Sequence, residues 1–268
     1  MTPIALTIAG SDSGGGASLQ GDLKTFSALG VYGASIVTAL TAQSTTGVSA
    51  IHDVPAEFVA AQIDAVFADL RVDAVKIGML SQAPVIDAVA RGLERWRAQN
   101  VVLDPVMVAS TGEPLLAAGA IDVLRRVLLP RAMVLTPNLP EAAALIGAKV
   151  AQTQDEMHAQ ARALLGLGPQ AVVIKGGHAQ GKTSIDLLVD QRGAVALPLA
   201  RLASRNTHGT GCAFAAAIAA GLAKGLELTP AVRAAKDYVH AAIAAADTLE
   251  VGSGSGPIHH FHALWRGD

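Results

Sequence analysis

Short apolar runs alternate with amphipathic stretches along most of the chain. Six runs have the length of a buried strand, and most are separated by segments in which apolar residues recur with a helical period. This alternation is typical of an α/β fold and predicts a mostly parallel central sheet flanked by helices on both faces. The predicted strands are Pro3-Ala9, Ser35-Leu40, Ala74-Ile77, Val101-Leu103, Met133-Leu135 and Val172-Ile174.

Helix signals fall between these strands. Pro55 opens a run with apolar positions at helical spacing, and Pro is common at the start of a helix. Thr153 and Glu156 have the spacing of a capping box, which indicates a second helix start. Further helices are predicted over Ala17-Leu29, Thr210-Lys224 and Thr229-Leu249.

The pattern changes after residue 175. Two short runs rich in strand formers, Thr183-Val189 and Ala194-Leu199, flank the turn-like residues 190–193 and predict a hairpin. Residues 176–183 also match the P-loop pattern G-x-x-x-x-G-K-[ST], but a P-loop needs a helix directly after its Lys-Thr pair. We therefore interpret Lys182 as a solvated hairpin residue. Lys175, at the end of a buried strand beside two glycines, is the better candidate for a phosphate-binding lysine.

Composition limits the classes of function. The 268 residues carry 20 basic and 22 acidic side chains with no cluster of either sign, so nothing indicates a nucleic-acid partner or a membrane surface. The apolar runs are shorter than the ~18 residues that a membrane helix needs. A single cysteine excludes an intrachain disulfide. We expect one domain over residues 1–268, a cytoplasmic location and a small-molecule partner.

Polar or glycine-rich segments follow all six predicted strands. Ligands of open parallel sheets bind beyond the carboxyl ends of the strands, so these segments are expected to meet at one edge. They are Gly10-Gly16, Thr41-Thr45, Gly78-Met79, Asp104-Met107, Thr136-Glu141 and Lys175-His178.

Residues 206–212 predict an anion hole. Gly209 and Gly211 permit the backbone conformations that turn successive N–H groups inward, and an Ala-rich helix follows at once. The free N–H groups and the positive dipole end of that helix would face a bound anion, of which phosphate is the usual example.

Cys212 lies at the start of the same helix. The helix dipole and the adjacent His208 are expected to lower its thiol pKa, which would suit a nucleophile or a base. The alternative is that Cys212 is a small buried apolar residue.

Three further polar features, residues 10–16, Asp22 and the pair Asn138 and Glu141, have two interpretations each. Residues 10–16 are either a phosphate loop or a flexible strand-to-helix connection, and Asp22 is either a solvated helix residue or a contact to a polar ligand. Asn138 and Glu141 have the spacing of a helix cap, and their oxygens also suit a magnesium ion that keeps most of its waters. Asp104, at the end of a Val-Val-Leu strand, stands where parallel-sheet enzymes place charge.

The tract His259-His-Phe-His262 has the composition of a metal site. No Cys or further His is positioned to complete a structural zinc site. We therefore favour packing or a subunit contact for these histidines.

Several motifs together resemble one family. The chain is similar to bacterial hydroxymethylpyrimidine/phosphomethylpyrimidine kinases of thiamine biosynthesis, within the ribokinase-like superfamily, over essentially its full length. The motifs are TIAGSDSGGG (7–16), DLKT (22–25), TAQ (41–43), KIGM (76–79), DPVM (104–107), TPNLPE (136–141), KGGH (175–178) and NTHGTGC (206–212).

The resemblance implies a ribokinase-like fold and two ATP-dependent steps that use Mg²⁺. The first would phosphorylate 4-amino-5-hydroxymethyl-2-methylpyrimidine, and the second would phosphorylate the resulting monophosphate. A homodimer is the expected assembly.

The resemblance also implies roles for individual residues. The pyrimidine would contact Gly10, Asp22, Gln43, Met79 and Val106. The nucleotide would contact Thr136, Asn138, Lys175, Gly176, Thr207, His208 and Gly209. Asp104 and Glu141 would handle the metal. The catalytic set would be Lys175, Gly209, Thr210, Gly211 and Cys212, with Cys212 at the position where sugar kinases of the superfamily have a catalytic aspartate.

Three positions differ from the usual family pattern. Ser18 and Gly21 stand where Gly and Ala are common, and Ser110 stands where many members have a lysine. A missing lysine near the triphosphate would weaken one electrostatic clamp, and we expect this to affect the second phosphorylation more than the first.

Two other classes of function share these features. A pyridoxal kinase would have the same phosphate-handling residues and a different ring pocket. The Gln43 amide can both donate to and accept from an aminopyrimidine, which favours the thiamine pathway. A non-catalytic sensor is the other class, and the presence of Asp104, Lys175, Glu141 and Cys212 together argues against it.

Overall fold

The protein is described by a computed structural model that covers residues 1–108, 112, 115–117, 119–178 and 181–265. Within these ranges, nine strands form one sheet in the order β3-β2-β1-β4-β5-β6-β7-β8-β9. The strands are β1 Ile4–Asp12, β2 Tyr32–Ser44, β3 Gly47–Asp53, β4 Ala74–Ile77, β5 Val101–Leu103, β6 Val134–Leu135, β7 Ala171–Ile174, β8 Thr183–Asp190 and β9 Gly193–Ala200.

The six central strands, in the order β2-β1-β4-β5-β6-β7, pair in parallel. The outer strands β3, β8 and β9 pair antiparallel to their neighbours. A mostly parallel sheet is therefore confirmed, and so is the hairpin after residue 175. Because β8 begins at Thr183, directly after Lys182, no P-loop helix starts there.

Helices cover both faces of the sheet. One apolar core layer packs the sheet against α2 to α6, and the other packs it against α1, α7 and α8. The helices are α1 Ser18–Ala28, α2 Ala56–Asp69, α3 Ala83–Arg95, α4 Ala120–Val127, α5 Leu139–Ile146, α6 Gln154–Leu165, α7 Thr210–Ala223 and α8 Leu228–Ala244. Among the described helices, none is long and apolar enough to cross a membrane.

The largest departure from the sequence prediction is at the β2 edge of the sheet. β2 continues through residues 41–44, which we expected in a loop, and the unpredicted strand β3 pairs with this extension. β3 lies at the sheet edge with four of its seven residues exposed, so it has no apolar alternation to reveal it.

Helix α7 carries the candidate anion hole. Residues 213–222 are all buried, which a surface helix with one polar face could not achieve. The two ends of the helix, residues 210–212 in the first turn and Ala223 at the last position, are partly exposed. The fold thus holds a fixed helix N-terminus at the carboxyl edge of the sheet.

Candidate active site

An ion pair lies at the centre of the carboxyl edge. Lys175, directly after β7, places its Nζ atom 2.7 Å from Oδ1 of Asp104, directly after β5. Thr136 donates its hydroxyl to the same Oδ1 atom at 3.1 Å. Asp104 is 2% exposed and Thr136 is fully buried, so the Thr136 hydroxyl holds the Asp104 carboxylate in position from inside the protein.

Asn138 and Glu141 cap helix α5. The Asn138 side chain accepts from the Glu141 N–H, and the Glu141 carboxylate accepts from the Asn138 N–H, both at 2.8 Å. The capping prediction is therefore confirmed. Burial raises the pKa of Glu141 to about 7, although Lys175 opposes that shift and Asp104 adds to it. Glu141 and Asp104 thus act electrostatically on each other and on the same ammonium group.

Gly176 permits the close approach of β8. A Cβ atom at this position would lie 1.9 Å from the carbonyl oxygen of Ile185, so any side chain would displace the backbone. The Gly176 N–H donates to Asp186 at 2.8 Å, and Asp186 pairs with Lys236 at 2.8 Å. These contacts hold the chain immediately after Lys175, whereas Lys182 is exposed as predicted.

The start of α7 faces the ion pair. Gly209 precedes the helix with φ +83°, a conformation that favours glycine. A Cβ atom on Gly211 would lie 3.1 Å from Lys175 Nζ and 3.9 Å from Asp104 Oδ2. Thr207 is exposed, and its carbonyl oxygen accepts from the Thr210 hydroxyl at 2.6 Å. A helix N-terminus, a lysine and a carboxylate therefore converge, as an anion site with a nearby cation site requires.

Cys212 does not have the lowered thiol pKa that we expected. Burial raises its pKa to about 11, because the nearby Lys76 ammonium only partly offsets the loss of solvent and the Asp22 and Asp104 charges add to the increase. The His208 ring, which was expected to lower the thiol pKa, pairs with Asp12 at 2.9 Å. The Ser18 backbone N–H acts in the opposite direction and lowers the pKa of Cys212, but it does not outweigh burial. In this state the thiol is protonated at neutral pH.

Asp22 is fully buried, so a solvated position for it is wrong. Its Oδ2 atom accepts from the Thr7 hydroxyl at 2.6 Å and from Lys76 Nζ at 2.7 Å, and no residue that the structure describes donates to its buried Oδ1 atom. Burial alone would lower the pKa of Lys76, but the Asp22 carboxylate raises it, so the ammonium stays charged. Sequence reasoning gave Lys76 no role, although a lysine inside a buried strand is an unusual residue that could have signalled one.

The other proposed pyrimidine contacts have different degrees of burial. A Cβ atom on Gly10 would lie 3.0 Å from the sulfur of Met79, which places these two residues in contact. Gln43 is half-buried, and its side-chain oxygen accepts from the Thr41 hydroxyl at 3.1 Å. Val106 is half-buried and follows Asp104.

The loop after β1 is not a phosphate loop. The Asp12 carboxylate accepts from the N–H groups of Gly14, Gly16 and Ala17 at 2.9 to 3.1 Å. These are the donors that a phosphate would need, and Asp12 is 1% exposed. Asp12 was not singled out from the sequence, although an Asp followed by Ser-Gly-Gly-Gly is a common arrangement for a side chain that bonds its own loop.

The histidine tract packs against the end of α8. His259 and His260 are buried, and the Tyr238 hydroxyl donates to the His260 carbonyl at 2.8 Å. His259 meets the Trp265 ring edge-on with 5.3 Å between centroids. The predicted packing role is confirmed, while a subunit contact stays a prediction.

Two of the three unusual positions can be described, and Ser110 lies outside the described residues. Ser18 has φ +53°, in the left-handed region, which explains why glycine is the easier residue there. A Cβ atom on Gly21 would lie 3.2 Å from the Gly16 carbonyl oxygen, so alanine would be tight.

Comparisons with known proteins show the family of this chain. A family model described as phosphomethylpyrimidine kinase matches residues 12–259. The hydroxymethylpyrimidine/phosphomethylpyrimidine kinase of Rhizobium meliloti is 58% identical over 266 residues, which cover 99% of this chain and 100% of that relative. The enzyme of that name from Salmonella typhimurium is 52% identical over 261 residues, covering 97% and 98%.

Solved structures agree as well. The structure of phosphomethylpyrimidine kinase from Clostridium difficile has a TM-score of 0.80 and 41% identity, covering 90% of this chain and 99% of that one. An ADP complex of Bacillus subtilis pyridoxal kinase has a TM-score of 0.90 and 36% identity, covering 98% and 99%. With a family match that spans most of its length and relatives at this identity, the chain belongs to the phosphomethylpyrimidine kinase family.

Proposed function

We propose that the protein, acting as one ribokinase-like kinase domain, transfers the terminal phosphoryl group of ATP to 4-amino-5-hydroxymethyl-2-methylpyrimidine and then to its monophosphate. The observation that carries this proposal is the meeting of the α7 N-terminus with Lys175 and Asp104 at Gly211. Phosphoryl transfer needs charge stabilisation and alignment more than covalent help from the protein, and this arrangement supplies both.

The polar groups at the carboxyl edge of the sheet have separate roles in this proposal. The N–H groups of residues 209–212 and the Lys175 ammonium would stabilise the oxygens of the transferring phosphoryl group. Thr136 and Asp104 keep that ammonium in place. Asn138, Gly176, Thr207 and His208 stay proposals as nucleotide contacts, and Asn138 already caps α5 with its side chain.

The residues present fit a magnesium ion. Asp104 and Glu141 offer the hard oxygen donors that Mg²⁺ prefers, and an ion that keeps its waters needs only one or two carboxylates. Burial raises the pKa of Glu141 to about 7, and a cation bound nearby would favour the charged carboxylate. When bound, the metal would neutralise charge on the phosphates of ATP.

The role of Cys212 changes with its raised pKa. A thiol that is protonated at neutral pH is a poor base before the substrate binds. We propose that Cys212 orients the substrate hydroxyl; as a protonated thiol it does not accept the hydroxyl proton.

Gln43 would read the pyrimidine ring. Its amide lies at the end of the β2 extension and can pair with both a donor and an acceptor on an aminopyrimidine. Gly10, Met79 and Val106 would line the apolar part of the pocket, and the unpartnered Oδ1 atom of Asp22 would accept from a polar group of the ligand.

Pyridoxal phosphorylation is the second candidate. It is favoured by the likeness to pyridoxal kinase structures over 98% of the chain. A cytoplasmic location and a homodimer stay predictions.

One assay tests these proposals together. The purified protein is incubated with Mg·ATP and either hydroxymethylpyrimidine, its monophosphate or pyridoxal, and the products are followed by mass. Conversion of the pyrimidine to its diphosphate with a higher kcat/KM than for pyridoxal supports the proposal. A preference for pyridoxal supports the second candidate, and no turnover of any alcohol supports a non-catalytic sensor.

A further inference from the structure

We propose that Asp12 and His208 are positioning residues that hold the glycine loop, Gln43 and the anion-hole loop in one arrangement. The glycine loop is residues 13–17, and the anion-hole loop is residues 206–209. This inference rests on the proposed kinase function, because it assigns a purpose to the contact between the ring pocket and the phosphate site.

Asp12 organises the glycine loop from within. Its Oδ1 atom accepts from the Gly14 N–H, and its Oδ2 atom accepts from the N–H groups of Gly16 and Ala17. Burial by itself would raise the pKa of Asp12, but His208 and the loop N–H groups outweigh it and lower the pKa, so the group is a carboxylate at neutral pH. Without that carboxylate, three inward-facing N–H groups would lose their partner.

His208 joins this loop to the anion hole. Its ring Nε2 atom lies 2.9 Å from Asp12 Oδ2, with side-chain exposures of 10% and 1%. The backbone of His208 is held on the other side, because its N–H donates to Gly256 and its carbonyl accepts from Ile258. The imidazole therefore bridges a fixed backbone segment and the loop carboxylate.

The two loops touch at glycines that tolerate no side chain. A Cβ atom on Gly209 would lie 2.1 Å from the Gly16 carbonyl oxygen, and a Cβ atom on Gly16 would lie 2.6 Å from the His208 ring. Since Gly209 is the residue before α7, any shift of the glycine loop would move the start of the anion hole. A displacement of about 1 Å is enough to lower the rate of an aligned reaction by about a hundredfold.

The glycine loop also contacts Gln43, the residue proposed to recognise the pyrimidine ring. Ser13 donates its hydroxyl to the Gln43 carbonyl and accepts from the Gln43 N–H, both at 2.8 Å. The Gln43 side-chain amide nitrogen also lies 3.5 Å from the His208 ring. One buried Asp–His pair thus connects the residue proposed to read the pyrimidine with the residues proposed to bind phosphate.

The experiment uses Asp12→Asn, His208→Leu and the double variant. Asp73→Asn is the matched control. Like Asp12, Asp73 accepts from a backbone N–H, but its donor is Ile4, at the opposite end of β1 from Asp12. Hydrogen exchange is measured without substrate. Removing either side chain of the Asp12–His208 pair should loosen the loop on the other side of that contact. His208→Leu should therefore speed amide hydrogen exchange at Gly16 and Ala17 by about tenfold, as expected for one lost hydrogen bond. Asp12→Asn should speed exchange at His208 and Thr210, and Asp73→Asn should change neither loop.

Kinetics give the second readout. Each single variant should lower kcat/KM for the pyrimidine by about tenfold to a hundredfold, and the double variant should lose no more than the worse single one, because both remove the same bridge.

Gly16→Ala, which would push the imidazole away, should reproduce the pattern if His208→Leu does not fold. Unchanged exchange in the opposite loop, or additive losses in the double variant, would overturn the inference. If the wild type does not phosphorylate the pyrimidine, the proposed function fails, while the exchange data still decide whether the two loops are coupled.

Discussion

Lys175 and Asp104 come from strands β7 and β5, which are not adjacent in the sheet, and their side chains meet at 2.7 Å. The pair faces Gly211 in the first turn of α7. Because Asp104 is held by Thr136 and Lys175 is followed by the constrained Gly176, neither charge can move far without disturbing the sheet edge. The phosphate site is therefore preorganised, as electrostatic catalysis requires.

Lys175→Ala should abolish most of the activity, whereas Lys182→Ala should leave it nearly unchanged. Removing a charge aimed at the transferring phosphoryl group is expected to cost on the order of 3 kcal/mol, roughly a hundredfold in kcat. Lys182 is exposed and precedes the β8–β9 hairpin, so its loss removes no comparable contact. Steady-state kinetics on both variants measure the difference. An inactive Lys182→Ala with an active Lys175→Ala would restore the P-loop interpretation.

Gln43→Met should raise the KM for hydroxymethylpyrimidine more than that for pyridoxal. Each ring donor or acceptor left buried without a partner costs ~1–3 kcal/mol, and methionine keeps the volume of the side chain while removing its polar atoms. Competition between the two alcohols, followed by product mass, measures the change in preference. Gln99→Met is the control, because it removes the same amide from an exposed side chain that donates to the Arg97 carbonyl. Equal losses for both substrates would show that Gln43 does not read the ring.

Alkylation of Cys212 should be slow at neutral pH and should accelerate through a pKa of about 11. Only the thiolate reacts with iodoacetamide, and burial stabilises the neutral thiol, so the reactive fraction rises only at strongly alkaline pH. The rate is measured by mass spectrometry between pH 7 and the onset of unfolding, with free cysteine as the reference. A midpoint below the value of about 8.5 for free cysteine would return Cys212 to the role of an activated base. Added Mg·ATP should slow the reaction if the anion hole is the nucleotide site.

The sequence predicted the parts of the fold that apolar periodicity controls. The strands Ala74–Ile77 and Val101–Leu103 appear where predicted, because both are short runs buried on both faces of the sheet. β3 was missed since an exposed edge strand needs no apolar pattern. The polar ends of the strands also followed from topology alone, which is why Asp104 and Lys175 could be placed at one edge.

The electrostatics of the site could not be predicted in the same way. The pKa of Cys212 depends on the burial of its side chain and on the nearby charges of Lys76, Asp22 and Asp104, and these are set by the tertiary structure. For Asp22 the sequence left open a solvated helix position or a ligand contact, and it gave no sign that the carboxylate pairs with a lysine 54 positions away in the chain. Pairings of that separation leave no local signal.

Lys76→Met should destabilise the protein strongly, because it leaves the Asp22 carboxylate buried without its charge partner. Both side chains are fully buried and 2.7 Å apart. Breaking such a pair from one side costs about 3–5 kcal/mol, whereas replacing both members by neutral groups of similar size costs much less. Urea unfolding at pH 7 should therefore show a large loss for Lys76→Met and a partial recovery in Lys76→Met/Asp22→Asn. Arg95→Met, which breaks an exposed pair with Asp64, is the control and should cost no more than about 1 kcal/mol. If Lys76→Met were no worse than Arg95→Met, or if the second substitution brought no recovery, the Asp22–Lys76 pair would not be a coupled buried ion pair.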